Sequence, residues 1–118
     1  EYGNALFLSQ YSFLGLDPRA MEDKYTYYWT QNVSHTMINR HYCIYEAPEE
    51  YKYSESDWGL TACGGCGKNP EYKSREPFKD DGIIAPTAAI SAFPYTPLYT
   101  SIDEPDKKLS KTKRYLRT

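Results

Sequence analysis

The chain has 118 residues, with 14 Lys+Arg against 16 Asp+Glu; its formal charge of −2 gives none of the positive field expected of a nucleic-acid or membrane-surface binder. Leu, Ile, Val and Phe contribute only 19 residues, whereas 13 Tyr, 4 Phe and 2 Trp supply rings, so burial must rest largely on amphipathic aromatics that also hydrogen-bond. That balance suits a wet, aromatic-lined cavity, and no apolar run reaches the ~18 residues of a membrane span.

The opening Glu1-Tyr2-Gly3-Asn4 has neither an initiator Met nor a charged-then-apolar leader, so a targeting peptide is expected to have been removed or to lie upstream. Residues 5–16 are apolar nearly throughout and predict a short buried helix ended by Gly15, although period alone does not separate it from a strand. Asp17-Pro18-Arg19 carries the signature of a helix start, an N-cap followed by Pro at the first helical position, with Glu22 and Asp23 near the positive end of the dipole. Met21, Tyr25, Tyr28 and Asn32 follow at helical spacing, and Val33, Met37, His41 and Tyr45 continue on a nearby stripe. One long helix, or two abutting ones, is therefore expected up to Pro48.

Residues 51–81 lack a sustained period and read as a long loop; loops beyond roughly 15 residues in a compact domain are functional or disordered. Its one apolar island is Asp57-Trp58-Gly59-Leu60-Thr61-Ala62. Residues 83–93 predict a short buried helix, with Pro86 near its start and Pro94 past its end, and Thr96-Pro97 suggests a further cap. Patterning stops near Leu98. Residues 98–118 read as a divergent, disordered basic tail, and residues 1–97 as a piece of a larger domain.

Several constellations invite chemistry. Cys63-Gly64-Gly65-Cys66 has the spacing of a zinc half-site or redox pair, and Cys43 adds a third thiol. A structural zinc site needs a second pair of ligands, and His35 and His41 stand about 240° apart around a helix, so no metal or other cofactor is expected. A plain glycine-rich turn, or a small cysteine-stabilised domain, is the alternative. Asn32-Val33-Ser34 matches a glycosylation acceptor but falls inside a predicted helix. The basic residues from Lys107 to Arg117 read as a solvated end and not as a phosphate-binding patch.

Glycoside hydrolysis requires two carboxylates flanking the scissile bond. Asp17 and Asp57 are the acids set among aromatic and glycine residues, and they are the candidate catalytic groups; their plain alternatives are a helix cap and a loop brace. Gln10, Tyr11, Tyr28 and Trp58 have the ring, phenol and amide groups of a sugar subsite, against the alternative of core packing.

Taken in order, these segments resemble a known family. Tyr11-Ser12-Phe13, Gly15-Leu16-Asp17-Pro18-Arg19 and Tyr28-Trp29-Thr30-Gln31-Asn32, then residues 35–44, Trp58-Gly59-Leu60-Thr61-Ala62, residues 82–89 and Phe93-Pro94-Tyr95-Thr96-Pro97, are similar to the putative glucoamylase family of Bacteroidetes-type enzymes, which includes the endo-β-1,2-glucanases of glycoside hydrolase family 144. The resemblance covers about residues 3–97. It implies an all-α chain, a fragment of an (α/α)6 toroid with long irregular loops and a central carbohydrate cavity, from a full-length parent that is monomeric and periplasmic or secreted. It implies Gln10, Tyr11, Arg19, Trp58 and Thr61 as substrate-binding residues beside Asp17 and Asp57, with an oligosaccharide or polysaccharide as partner. The family's glutamate-bearing helix has no counterpart here, so the chain alone is expected to be inactive; a non-catalytic carbohydrate-binding remnant is the alternative. Cys63 stands where relatives commonly carry Ser, and residues 64–80 depart from their usual stretch.

Overall fold

The computed structural model describes residues 3–67 and 70–96. The expected tail, 98–118, and Pro97 of the expected cap lie outside them; within them, Thr96 donates its hydroxyl to the Ala92 carbonyl at 3.1 Å. Three α-helices carry the described residues: α1 (Leu6–Gln10), α2 (Tyr28–His41) and α3 (Pro86–Ser91). There is no strand among them, only isolated bridges, and α1 packs against both α2 and α3. The all-α class with long irregular connections is what the sequence predicts.

Helix α1 begins without a capping side chain at Ala5. The exposed N–H groups of its first turn are satisfied from elsewhere: Leu6 N donates to Leu60 O at 3.0 Å and Phe7 N to Thr61 Oγ1 at 3.1 Å. The Leu60–Thr61 segment thus acts as the cap, which ties a loop distant in sequence to the start of the helix. A 3₁₀ turn, Tyr11–Phe13, carries the chain beyond α1 toward Gly15.

The long helix does not start at Asp17. Asp17 does cap, accepting from Arg19 N at 3.0 Å, but the element it caps is a single 3₁₀ turn, Pro18–Ala20. Asp23 then takes the amides of Tyr25 (2.7 Å) and Thr26 (3.0 Å) on Oδ1, and Glu22 bridges Tyr27. An aspartate side chain offering this local alternative competes with helical bonding, so α2 begins only at Tyr28, whose N–H returns to Met21 O at 2.9 Å. Tyr25, expected on the helical stripe, is 81% exposed.

The buried face of α2 is also displaced from the expected one. Asn32, His35, Thr36 and Asn39 are buried, followed by Tyr42 and Cys43, while His41 and Tyr45 are exposed and Val33 and Met37 only half-buried. Asn39 explains how a polar face can be core: its Oδ1 accepts from Leu60 N at 2.9 Å and its Nδ2 donates to Leu60 O at 3.1 Å, so both halves of the amide are used. The helix relaxes into a π turn at Tyr42–Glu46, closed by Ala47 N to Tyr42 O, and stops before Pro48.

The core gathers Leu6, Tyr42, Cys43, Trp58 and Leu60 with the alanines of α3, Ala85, Ala88, Ala89 and Ala92. Small residues on α3 let the Trp58–Thr61 segment lie directly on it. Gly59 has φ +119°, and a Cβ there would stand 3.1 Å from Ala85 O and Ala89 N, so the approach requires glycine. The long loop beyond is fastened by Arg75. Its side chain is fully buried, with Nε and Nη2 on Asp81 (2.6 and 3.2 Å) and Nη1 on Cys63 O (2.7 Å). Lys73 adds a second cation to Asp81 at 2.8 Å.

Candidate functional site

The turn after α1 carries the most polar exposed constellation. Arg19 Nε contacts both Asp17 oxygens at 2.9 Å and Nη2 contacts Oδ2 at 2.5 Å, a forked pair of which both members are exposed. The Arg19 side chain, followed by its backbone N–H, pulls the Asp17 carboxyl down to about 2, and Asp17 in turn raises the guanidinium. Tyr27 holds the turn from behind by donating its hydroxyl to Arg19 O. Beside it, the Tyr28 hydroxyl donates to Asp23 Oδ2 at 2.5 Å, which lowers the acid and raises the phenol, and Phe13 packs on Tyr28 with ring centroids 5.8 Å apart.

The same end of the helices brings in α3. Gln10 accepts the Ser91 hydroxyl on Oε1 at 2.6 Å, while its buried Nε2 has no partner among the described residues. Just past α3, Tyr95 packs on Trp29 at 5.2 Å, and burial, with a smaller contribution from the Asp17 charge, raises its hydroxyl. Gln10, Asp17, Arg19 and Tyr95 therefore lie where α1 and α3 end and α2 begins. Tyr11 is 63% exposed at the end of α1, its ring 5.3 Å from Phe7.

Asp57, Trp58 and Thr61 belong to another place. Trp58 is 2% and Thr61 1% exposed, both in the core, and Thr61 spends its hydroxyl on capping α1. Their neighbour Leu60 is pinned at Asn39, about 16 Å along α2 from Tyr28 at the helical rise. Asp57 pairs its backbone with Ser54 in both directions, and its Oδ2 accepts from Ser54 Oγ at 3.1 Å, the bracing of a tight turn. Among the described residues no group of His, Cys, Asp and Glu could hold a metal. His35 and His41 are apart: His35 sits with Asn4 and Ser9, and His41 with Glu46 at 3.5 Å.

Two polar clusters were not visible as sites in the sequence. One is the Arg75–Asp81–Lys73–Cys63 fastening. In the other, Tyr42 donates to Asp80 Oδ1 at 2.7 Å, and Tyr53 is raised by burial and by the same carboxylate. The adjacent acids Asp80-Asp81 were their only sequence signal.

The sequence matches the family described as "Putative glucoamylase" over residues 1–108. This chain belongs to that family. It is 43% identical over 97 residues to an exo-β-1,2-glucooligosaccharide sophorohydrolase acting at the non-reducing end, from Parabacteroides distasonis, covering 80% of this chain and 13% of that protein. The solved endo-β-1,2-glucanase from Chitinophaga pinensis, a sophorotriose and glucose complex, superposes with a TM-score of 0.75 at 48% identity, over 84% of this chain and 23% of that one. A putative glucoamylase from Bacteroides caccae gives a TM-score of 0.79 at 36% identity, over 99% of this chain and 26% of its own. The chain thus spans between about an eighth and a quarter of these relatives, and its helices are an arc of the family's (α/α)6 toroid.

Proposed function

We propose that this chain forms part of the substrate-facing wall of a glycoside hydrolase acting on β-1,2-linked glucan or its oligosaccharides. The observation that carries this reading is the 43% and 48% identity, across 80% and 84% of the chain, to two proteins named for hydrolysis of that linkage. The geometry supports a wall of donors, acceptors and rings. Asp17 occupies Nε and Nη2 of Arg19, leaving Nη1 for a sugar hydroxyl, and Gln10 Nε2 is a second donor with no partner among the described residues. Tyr11 contributes an exposed ring and phenol at the same end.

The proton chemistry assigns roles. A general acid must be protonated when it meets the glycosidic oxygen, and a carboxyl held at about 2 is ionised at neutral pH. Asp17 therefore acts as a fixed acceptor that orients Arg19. Asp57, braced by Ser54, holds the turn leading into Trp58. The catalytic carboxylates come from a longer parent, and the isolated chain is inactive. Trp58 and Thr61 serve the wall from below, by packing and by capping α1.

The test is a graft. Residues 3–96 replace the matched segment of the Parabacteroides sophorohydrolase, and release of sugar from β-1,2-linked glucooligosaccharides is measured. The graft is expected to hydrolyse them while the 118-residue chain alone does not. A folded graft that neither binds nor cleaves them, or turnover by the isolated chain, would overturn the assignment.

A further inference from the structure

A second cavity lies on the other side of α1 from the Gln10–Ser91 contact, in the angle between α1 and α2, with a volume of about 560 Å³. It is lined by Asn4, Ser9, Gln31, Ser34 and His35, with Leu8 and Ile38 as its apolar members, and none of the candidate residues for the glucan wall contributes. Its size is within the range of small-ligand pockets.

The chemistry of the lining is selective by what it contains. Every polar group is an amide, a hydroxyl or an imidazole; there is no Asp, Glu, Lys or Arg and no Phe, Tyr or Trp. His35 is committed on both sides, with Nδ1 2.7 Å from Ser9 Oγ and Nε2 2.9 Å from Asn4 O, so its ring is a fixed wall and its nitrogens are not open to a metal or a nucleophile. Gln31 and Ser34 are exposed, one helical turn apart, and their side chains have no partner among the described residues. Leu8 and Ile38, 62% and 40% exposed, add aliphatic surface. A phosphate or carboxylate would find no cation here, an ammonium no anion, and a nucleobase no ring to stack on. Convergent neutral donors and acceptors beside aliphatic carbon match a neutral polyhydroxylated ring, which presents hydroxyls at its edge and C–H groups on its face.

We propose that this α1–α2 cavity is a non-catalytic binding site for an uncharged glycosyl unit, distinct from the Arg19 end. It stands independently of the hydrolase reading, because it requires binding alone. The test is a titration of the ¹⁵N-labelled 118-residue chain with methyl β-glucoside, with glucose 6-phosphate as the charged control. Amide shifts at residues 4, 9, 31 and 34 are expected to saturate with a midpoint of a few millimolar, as suits so small a ligand. Gln31→Ala and Ser34→Ala, both at exposed positions, should each weaken binding about two- to tenfold, the value of one hydrogen bond, and Arg19→Ala should leave it unchanged. Absence of saturation to ~50 mM, shifts confined to the Asp17–Arg19 turn, or equal binding of the phosphorylated sugar would each overturn the proposal. The first and third of these results leave the glucan-wall reading standing, which the graft decides separately.

Discussion

Replacing Asn39 by Ala removes the amide that joins the Trp58–Thr61 segment to α2. Two hydrogen bonds disappear, Leu60 N to Oδ1 at 2.9 Å and Nδ2 to Leu60 O at 3.1 Å, each worth ~1 kcal/mol net. The two ends of Leu60 then fare differently. Its carbonyl keeps Leu6 N at 3.0 Å, but its N–H is left in a fully buried position without an acceptor, at about 1–3 kcal/mol. Because the stranded-donor penalty already contains part of the lost bond, the sum is about 2–4 kcal/mol, a large share of the ~5–15 kcal/mol that holds a typical domain together. Urea unfolding followed by tryptophan fluorescence measures it, and hydrogen exchange gives a signature specific to the mechanism: Leu60 N–H loses protection while Leu6 N–H keeps it. Ser34→Ala, exposed on the same helix, should change stability by less than ~0.5 kcal/mol. A loss of under ~0.5 kcal/mol for Asn39→Ala, with Leu60 N–H still protected, would refute the reasoning.

Other parts of the molecule offer equally direct checks. Gly59→Ala combines a strained φ of +119° with a Cβ 3.1 Å from two backbone atoms of the Ala85–Ala89 segment, and should cost ~2–4 kcal/mol in the same urea assay. Arg75→Met strands Asp81 and Cys63 O, with Lys73 compensating in part, so a loss of about 3 kcal/mol is expected, read as a lowered urea midpoint. The Asp81 carboxyl is held below its usual 3.8, chiefly by Arg75. Stability from this pair is therefore complete above about pH 4 and drains as the pH falls through the lowered value; an acid titration of Asp81→Asn should lack that component. Burial pushes the Cys43 thiol up to about 11, whereas Cys66 is exposed, so iodoacetamide at pH 8 should label Cys66 in the folded chain and reach Cys43 only on unfolding, read by mass spectrometry.

The parts of the fold legible in the sequence are those set by local chemistry. Pro86 and Pro94 bracket α3 because proline fits the first turn and cannot continue a helix, and Asp17 caps the turn it was expected to cap. What misled was competition between local and distant bonding. Asp23 turns its carboxylate onto two following amides and stops the helix that the spacing from Met21 to Asn32 implies. Hydrophobic period placed the inner face of α2 on Val33, Met37, His41 and Tyr45, because nothing in a single sequence says that Asn39 and His35 have partners at Leu60, Asn4 and Ser9. The candidate site was legible as a set of residue types but not as a place. Asp17, Arg19 and Gln10 share one end of the helices, while Trp58 and Thr61, selected on the same grounds, are interior because small alanines on α3 admit them. Arg75 sat unnoticed in a loop rich in Lys, Gly and Pro, where no period distinguishes a buried cation from a solvated one.

The central claim, that the Asp17–Arg19 turn faces a saccharide, is tested most directly by kcat/KM for β-1,2-linked glucooligosaccharides in the sophorohydrolase graft with and without Arg19→Ala. A fall of about ten- to hundredfold at unchanged melting temperature is predicted, the value of one charge-assisted hydrogen bond to the substrate. Equal kcat/KM in the two proteins would contradict it.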